Sequence, residues 1–381
     1  MQFLPTIPIT LLGGAVADNR DRRSIVATAQ GAACLAAAGL ALATSSQAAT
    51  LTLLLATAFA LAVGRSFESP ANMALLPSLV PRETYPSAVV VNAMARNLGF
   101  VSGPMVSGLL VDRAGIPAAY AAAAGCLAIS VLLLWRLRLP TKAVKASGAR
   151  SEPQASGVGD QRSVRGNVLE PTRSPISLAA IREGIAFVRS RPVVLGAMTL
   201  DMLGVVFAGS TALLPVFARE ILQVGSFGYG LLAASLSIGT SLMTAILLVR
   251  HPPERPGRAL FVAVAVFGLA TVAFGLSRAF PLSMAALVVA GMADEVSMVT
   301  RSTIIQLATP DALRGRVSSV NMVFIGASNE LGAAESGYLA ALTSATFSVV
   351  FGGFACLGVL GVVIWRIPGL RHYRVDTRAD T

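Results

Sequence analysis

Six carboxylates stand inside long apolar stretches of this 381-residue sequence: Glu68, Asp201, Asp294, Glu295, Glu330 and Glu335. Placing an ionisable group in hydrocarbon costs about 2.5 to 3.5 kcal/mol on insertion scales, so each is retained against a penalty. Two chemistries fit them. A carboxyl group shielded from water takes up a proton more readily than one in solution and can hand it on to another environment. Alternatively, it pairs with a cation and fixes the packing of two helices. Arg96 and Arg301 are the cations best placed for such pairs, and Arg65 stands at i, i+3 from Glu68. Asp294, Met298 and Arg301 follow i, i+4, i+7 spacing and share one helix face. Asp201 and Glu330 lead as proton carriers, because they lie roughly 12 and 20 Å into their stretches at the helical rise.

Other chemistries lack their residues. Cys34, Cys126 and Cys356 each stand alone in an apolar stretch, and the two histidines, His251 and His372, fall in polar segments. No metal site is expected from them. No G-x-x-x-x-G-K-[ST] loop is present to cradle a nucleotide. The expectation is a protein that is not an enzyme and has no cofactor.

Composition says where the carboxylates must be positioned. Hydrophobic residues make up 54% of the chain and charged residues 13%, about half the charge of a soluble domain. The net charge of +11 sits between the apolar runs and forms no basic face, which argues against a nucleic-acid partner. Runs of about 20 apolar residues read as membrane spans. Eleven are expected, at 2–17, 24–43, 50–72, 88–111, 116–136, 193–218, 228–250, 259–277, 281–303, 317–342 and 345–366. With the loop after the first span on the cytoplasmic side, that side receives 24 of the 30 Lys and Arg residues. Arg113, Arg219 and Arg278 fall on the other side, the asymmetry that sets membrane orientation.

The fold class is therefore all-α and polytopic, and four regions are expected: an N-terminal bundle over 1–136, a cytoplasmic linker over 137–191, a C-terminal bundle over 192–366 and a cytoplasmic tail over 367–381. Residues 137–177 are rich in Ser, Gly, Pro and Arg. After them, 178–191 places Ile181, Ile185 and Val188 on one face, as a helix lying on the membrane surface would. The bundles are related by sequence. A shift of 229 residues lays Pro81 on Pro310, Val91-Asn92 on Val320-Asn321, Gly103 on Gly332 and Ser107-Gly108 on Ser336-Gly337. The same shift implies six helices per half with the first lacking here.

Two motifs carry a resemblance. Gly14-Ala-Val-Ala-Asp18-Asn19-Arg20-Asp21-Arg22-Arg23 makes a tight charged turn that resembles the G-x-x-x-D-R-x-G-R-R signature of major facilitator transporters, with Asn19 and Asp21 as departures. The resemblance implies a cytoplasmic latch built on Gly14, Asp18, Arg22 and Arg23. Gly99-Phe-Val-Ser-Gly103-Pro104-Met-Val-Ser107-Gly108 is similar to the fifth-helix motif of drug-proton antiporters and implies outward transport, with Gly99, Gly103, Pro104 and Gly108 as its residues. Its plain reading is a packing seam of small residues. The strings around Pro70–Glu83, Ala308–Val317 and Leu214–Arg219 resemble the enterobactin-exporter-like branch of that superfamily.

The resemblance implies a secondary exporter that exchanges protons for an amphipathic small molecule of drug or siderophore type. Its expected setting is a bacterial cytoplasmic membrane, as a monomer with its C-terminus inside. A lipid or lysophospholipid transporter of the same fold, and a non-transporting truncated membrane protein, stand as the alternatives.

Overall fold

In hydrocarbon a peptide group finds no water, and a helix satisfies its N–H and C=O groups within one segment. A computed structural model describes residues 22–80, 84–136, 178–249, 255–310 and 313–372, and their regular elements are helical throughout. In chain order they are α1 (Arg22–Ser45), α2 (Leu51–Leu79), α3 (Tyr85–Arg136), α4 (Leu178–Ser190), α5 (Pro192–Ala208), α6 (Gly225–Val249), α7 (Pro256–Leu276), α8 (Phe280–Ala308), α9 (Arg314–Leu342), α10 (Ala345–Arg366) and the short α11 (Pro368–His372). The expected span 2–17 and linker 137–177 lie outside the described residues.

Seven helices among the described residues are long and apolar enough to cross a membrane. The 52-residue α3 bends where Gly115 takes φ 81° and ψ 171°, a backbone conformation open to glycine, with Pro117 two residues on. It thereby covers the two spans expected at 88–111 and 116–136. Helices α2 and α9 have 29 residues each and the length to cross. The span expected at 193–218 is irregular. Helix α5 stops at Ala208, and Gly209 and Pro215 bracket a 3-10 turn over Ser210–Leu213 before a π-helical turn over Phe217–Ile221.

Large apolar side chains are turned outward, Leu42 at 71%, Leu248 at 81% and Trp365 at 76% exposure. That is the reverse of a water-soluble surface, and it fits helices whose solvent is lipid. Inside, close approach replaces hydrophobic burial as the source of helix association. Where α6 crosses α8, Gly239 faces the Val288 carbonyl and Gly291 faces the Leu236 carbonyl, so each helix gives the other a bare patch of backbone. Gly352 does the same for the Phe207 carbonyl between α10 and α5.

Helix α1 packs on α2 and α3, while α8 packs along α6 and α7 and α7 against α10. Among the described residues the main contact joining the N-terminal helices to the C-terminal ones is α3 against α6. Helix α4 packs against α9. Gly184 is buried against the α9 backbone at Arg316, Val188 packs with Val317 and Val320, and Glu183 pairs with Arg316 at 2.6 Å, whereas Ile185 is 40% exposed. The buried face is the one carrying a glycine, because only there can α4 approach the Arg316 carbonyl.

Replacing Gly291 by Leu is expected to cost about 1 to 3 kcal/mol through overpacking at the α6–α8 crossing and to lower the melting temperature of detergent-purified protein. Gly31→Ala, which meets nothing within 4 Å, is expected to leave that temperature unchanged or raise it.

Candidate functional site

The buried charges meet where three C-terminal helices converge. Asp201 lies nine residues after the start of α5 and Arg301 seven before the end of the antiparallel α8, roughly 14 and 11 Å from the same end of the molecule. Matched depth lets the Arg301 Nη1 donate to Asp201 Oδ2 at 2.5 Å, with the two residues 5% and 8% exposed. Arg301 Nε is buried with no partner among the described residues. Two turns nearer the middle of α8, half-buried Asp294 lines a small cavity with Asp201, Gly204, Val264, Phe267 and Ser297. Its neighbour Glu295 is 8% exposed and points to α6, where Thr244 Oγ1 donates to Oε1 at 2.9 Å.

The chemistry of this group is set by one cation among three carboxylates. Arg301 is charged at any physiological pH and commits to Asp201. Glu295 has a neutral hydroxyl as its donor, and Asp294 makes no hydrogen bond or ion pair among the described residues.

The remaining residues are distributed elsewhere. Glu68 is half-buried and accepts from Gln30 Nε2 at 2.9 Å, while Ser130 Oγ donates to Gln30 Oε1 at 2.7 Å. This chain across α2, α1 and α3 takes the place of the local Arg65–Glu68 pair, and Arg65 is exposed. Gln30 and Ser130 were missed by sequence reasoning, although a glutamine amid apolar residues is itself a signal. Glu330 is half-buried on α9 with no ion pair among the described residues, and Glu335 accepts from Ser336 Oγ at 3.4 Å. Arg96 is exposed and pairs with no carboxylate among the described residues, so the role of charge partner falls to Arg301.

Of the charged turn, Gly14 and Asp18 lie outside the described residues, as does the side chain of Arg22. Arg23 donates to the Trp135 carbonyl and lies 5.6 Å from that ring, tying α1 to the end of α3. The small-residue string on α3 divides in two. Gly99 and Gly103 face open space, whereas Pro104 and Gly108 pack against α6. A second cavity, of about 650 Å³, opens away from the buried charges, between Leu213, Glu220, Ala340 and Ser344.

Residues 1–333 match the Major Facilitator Superfamily. The chain belongs to that superfamily. It is a multi-pass membrane protein, and the superfamily is one of transporters. It is 26% identical over 365 residues, 96% of its own length and 81% of theirs, to the enterobactin exporters EntS of Escherichia coli K12 and Shigella dysenteriae serotype 1. The fold is similar to a POT family transporter in complex with 5-aminolevulinic acid (TM-score 0.68, 13% identity, 97% of this chain and 86% of that one). It is also similar to a bacterial homologue of the human lysosomal transporter Spinster in an inward-facing, occupied conformation (TM-score 0.63, 14% identity, 97% and 87%).

Removing one member of a buried pair leaves the other charge uncompensated, so Asp201→Asn is expected to destabilise by about 3 to 5 kcal/mol. The double variant Asp201→Asn with Arg301→Met is expected to recover part of that loss, read from denaturation midpoints in detergent.

Proposed function

We propose that this chain is a proton-coupled exporter of an amphipathic small molecule of siderophore or drug type, working by alternating access. Its setting is a bacterial cytoplasmic membrane, with the C-terminus inside and the chain acting as a monomer. The observation that carries the reading is the unequal sharing of one cation, Arg301, among the buried acids Asp201, Asp294 and Glu295. Similarity to enterobactin exporters over nearly the whole chain supports the outward direction and a solute with both polar and apolar parts.

In this mechanism Asp201 and Arg301 hold α5 and α8 in register, and the proton is carried by Asp294 with Glu295. Protonation from the outer side neutralises the pair and lowers the cost of closing apolar helices around it. Release to the inner side restores the charge and favours hydration there. Bundles rocking about a central site convert that alternation into movement of the solute. Glu68 with Gln30 and Ser130 supplies a polar patch from the N-terminal helices for the solute's hydrogen-bonding groups.

Efflux of a fluorescent amphipathic dye from cells producing this chain is expected to stop on adding a protonophore. Asp294→Asn and Glu295→Gln, at normal membrane levels, are each expected to lower proton-driven efflux tenfold or more, on the order of 1.4 kcal/mol or above. Efflux that persists with the protonophore and in both variants would reject proton coupling, and uptake of labelled lysophospholipid instead of dye would favour the lipid-transporter alternative.

A further inference from the structure

Away from the charge cluster, one polar contact joins the two groups of helices. Asp112 on α3 accepts from the backbone N–H of Ser226 through Oδ1 at 3.0 Å and from that of Phe227 through Oδ2 at 2.9 Å. These donors belong to the first turn of α6, whose N–H groups have no intrahelical acceptor. The carboxylate also sits at the positive end of the helix dipole. The loop before α6 is shaped for the visit. Gly225 takes φ 67°, and a Cβ added there would stand 3.6 Å from the carboxylate, so a backbone turn open to glycine leaves the cap position to a side chain from another helix.

The approach depends on the small residues of α3 and α6. Gly108 is one turn before Asp112 on the same face, and a Cβ there would meet the Ser226 carbonyl and the Phe227 Cα. Gly230 on α6 lies against the Pro104 carbonyl in the same way. The string whose beginning faces open space is therefore used at its end, to deliver Asp112. Gly108-Leu-Leu-Val-Asp112-Arg113-Ala-Gly115 also repeats the Gly-x-x-x-Asp spacing of Gly14 to Asp18, 94 residues on and, three spans later, on the opposite side of the membrane, as an inverted repeat within one half would place it.

We propose that Asp112 is a positioning residue that latches the outer face of the transporter shut by capping α6, and that breaking both of its bonds is part of each outward opening. The assignment rests on the alternating-access reading given above. Helices α3 and α6 come from opposite sides of the linker, so any motion that parts the bundles at this end separates the carboxylate from both donors. Once apart, the α6 N–H groups and the exposed carboxylate are rehydrated, and the net strength of the latch is modest. Loss of a capping carboxylate shifts an equilibrium by roughly two- to thirtyfold, enough to change which face is open without unfolding the chain.

The test uses spin labels at Ile116→Cys and Arg219→Cys, both exposed near this end, in a chain with Cys34, Cys126 and Cys356 replaced by Ala. Electron-spin distances are read in detergent and in liposomes across a pH series. The parent is expected to show short and long distances exchanging with pH, and Asp112→Asn to raise the long-distance fraction at least twofold, with Asp112→Glu recovering part of the short one. Ser226→Pro removes one donor while placing proline at the first helical position, where it is well tolerated, and is expected to act in the same direction. Distances unchanged from the parent in both Asp112→Asn and Ser226→Pro would overturn the latch and leave alternating access standing. A parent with one distance at every pH would overturn alternating access and the latch with it.

Discussion

A chain surrounded by hydrocarbon has nowhere to leave an unpaired peptide group, and this one constraint settles most of the molecule. It makes every long apolar run helical, and it also removes the ordinary reason for helices to associate, because lipid tails are as apolar as leucine. Association then depends on how closely backbones can approach. Gly239 and Gly291 meet that need reciprocally between α6 and α8, and Gly352 meets it between α10 and α5. The outward-facing Leu35, Leu42 and Leu248 contribute to solubility in lipid and not to packing.

Charge placement follows from the same constraint. Arg301 reaches Asp201 because α5 and α8 run antiparallel with the two residues at similar depth. Once that pair is made, the cluster has no cation left for Asp294 or Glu295, and Glu295 settles on the Thr244 hydroxyl. A fully paired cluster would be a rivet. An incompletely paired one leaves two acids at membrane depth without a cation of their own among the described residues.

The α3–α6 contact shows how a packing device and a polar device are combined. Gly108 and Gly230 bring two helices from opposite halves into backbone contact, and the proximity puts Asp112 over the start of α6. Glycine contact is insensitive to protonation and solvent, whereas a capped helix start trades its partner for water when the ends separate. The first sets how closely the two groups of helices approach. The second adds two hydrogen bonds that a separation of these helices would break.

The all-α polytopic fold class and the superfamily were legible in the sequence, because hydrophobic run length and short motifs are local properties of the chain. The resemblance to exporters rested on short strings such as Gly99 to Gly108, and the superfamily match bears it out at the level of family. Which residues act together was not legible. Asp201 and Arg301 are 100 residues apart, Gln30 and Ser130 also 100, and Asp112 and Ser226 114, so no periodicity on one helix predicts their meeting. The face of α4 that packs, the irregular end of α5 and the exposed position of Arg96 were likewise decided by neighbours. The sequence by itself determined that the chain enters a membrane as helices and which acids it carries there. Only the tertiary structure decided which acid is paired and which is left over, because depth and facing depend on how separate helices register against one another.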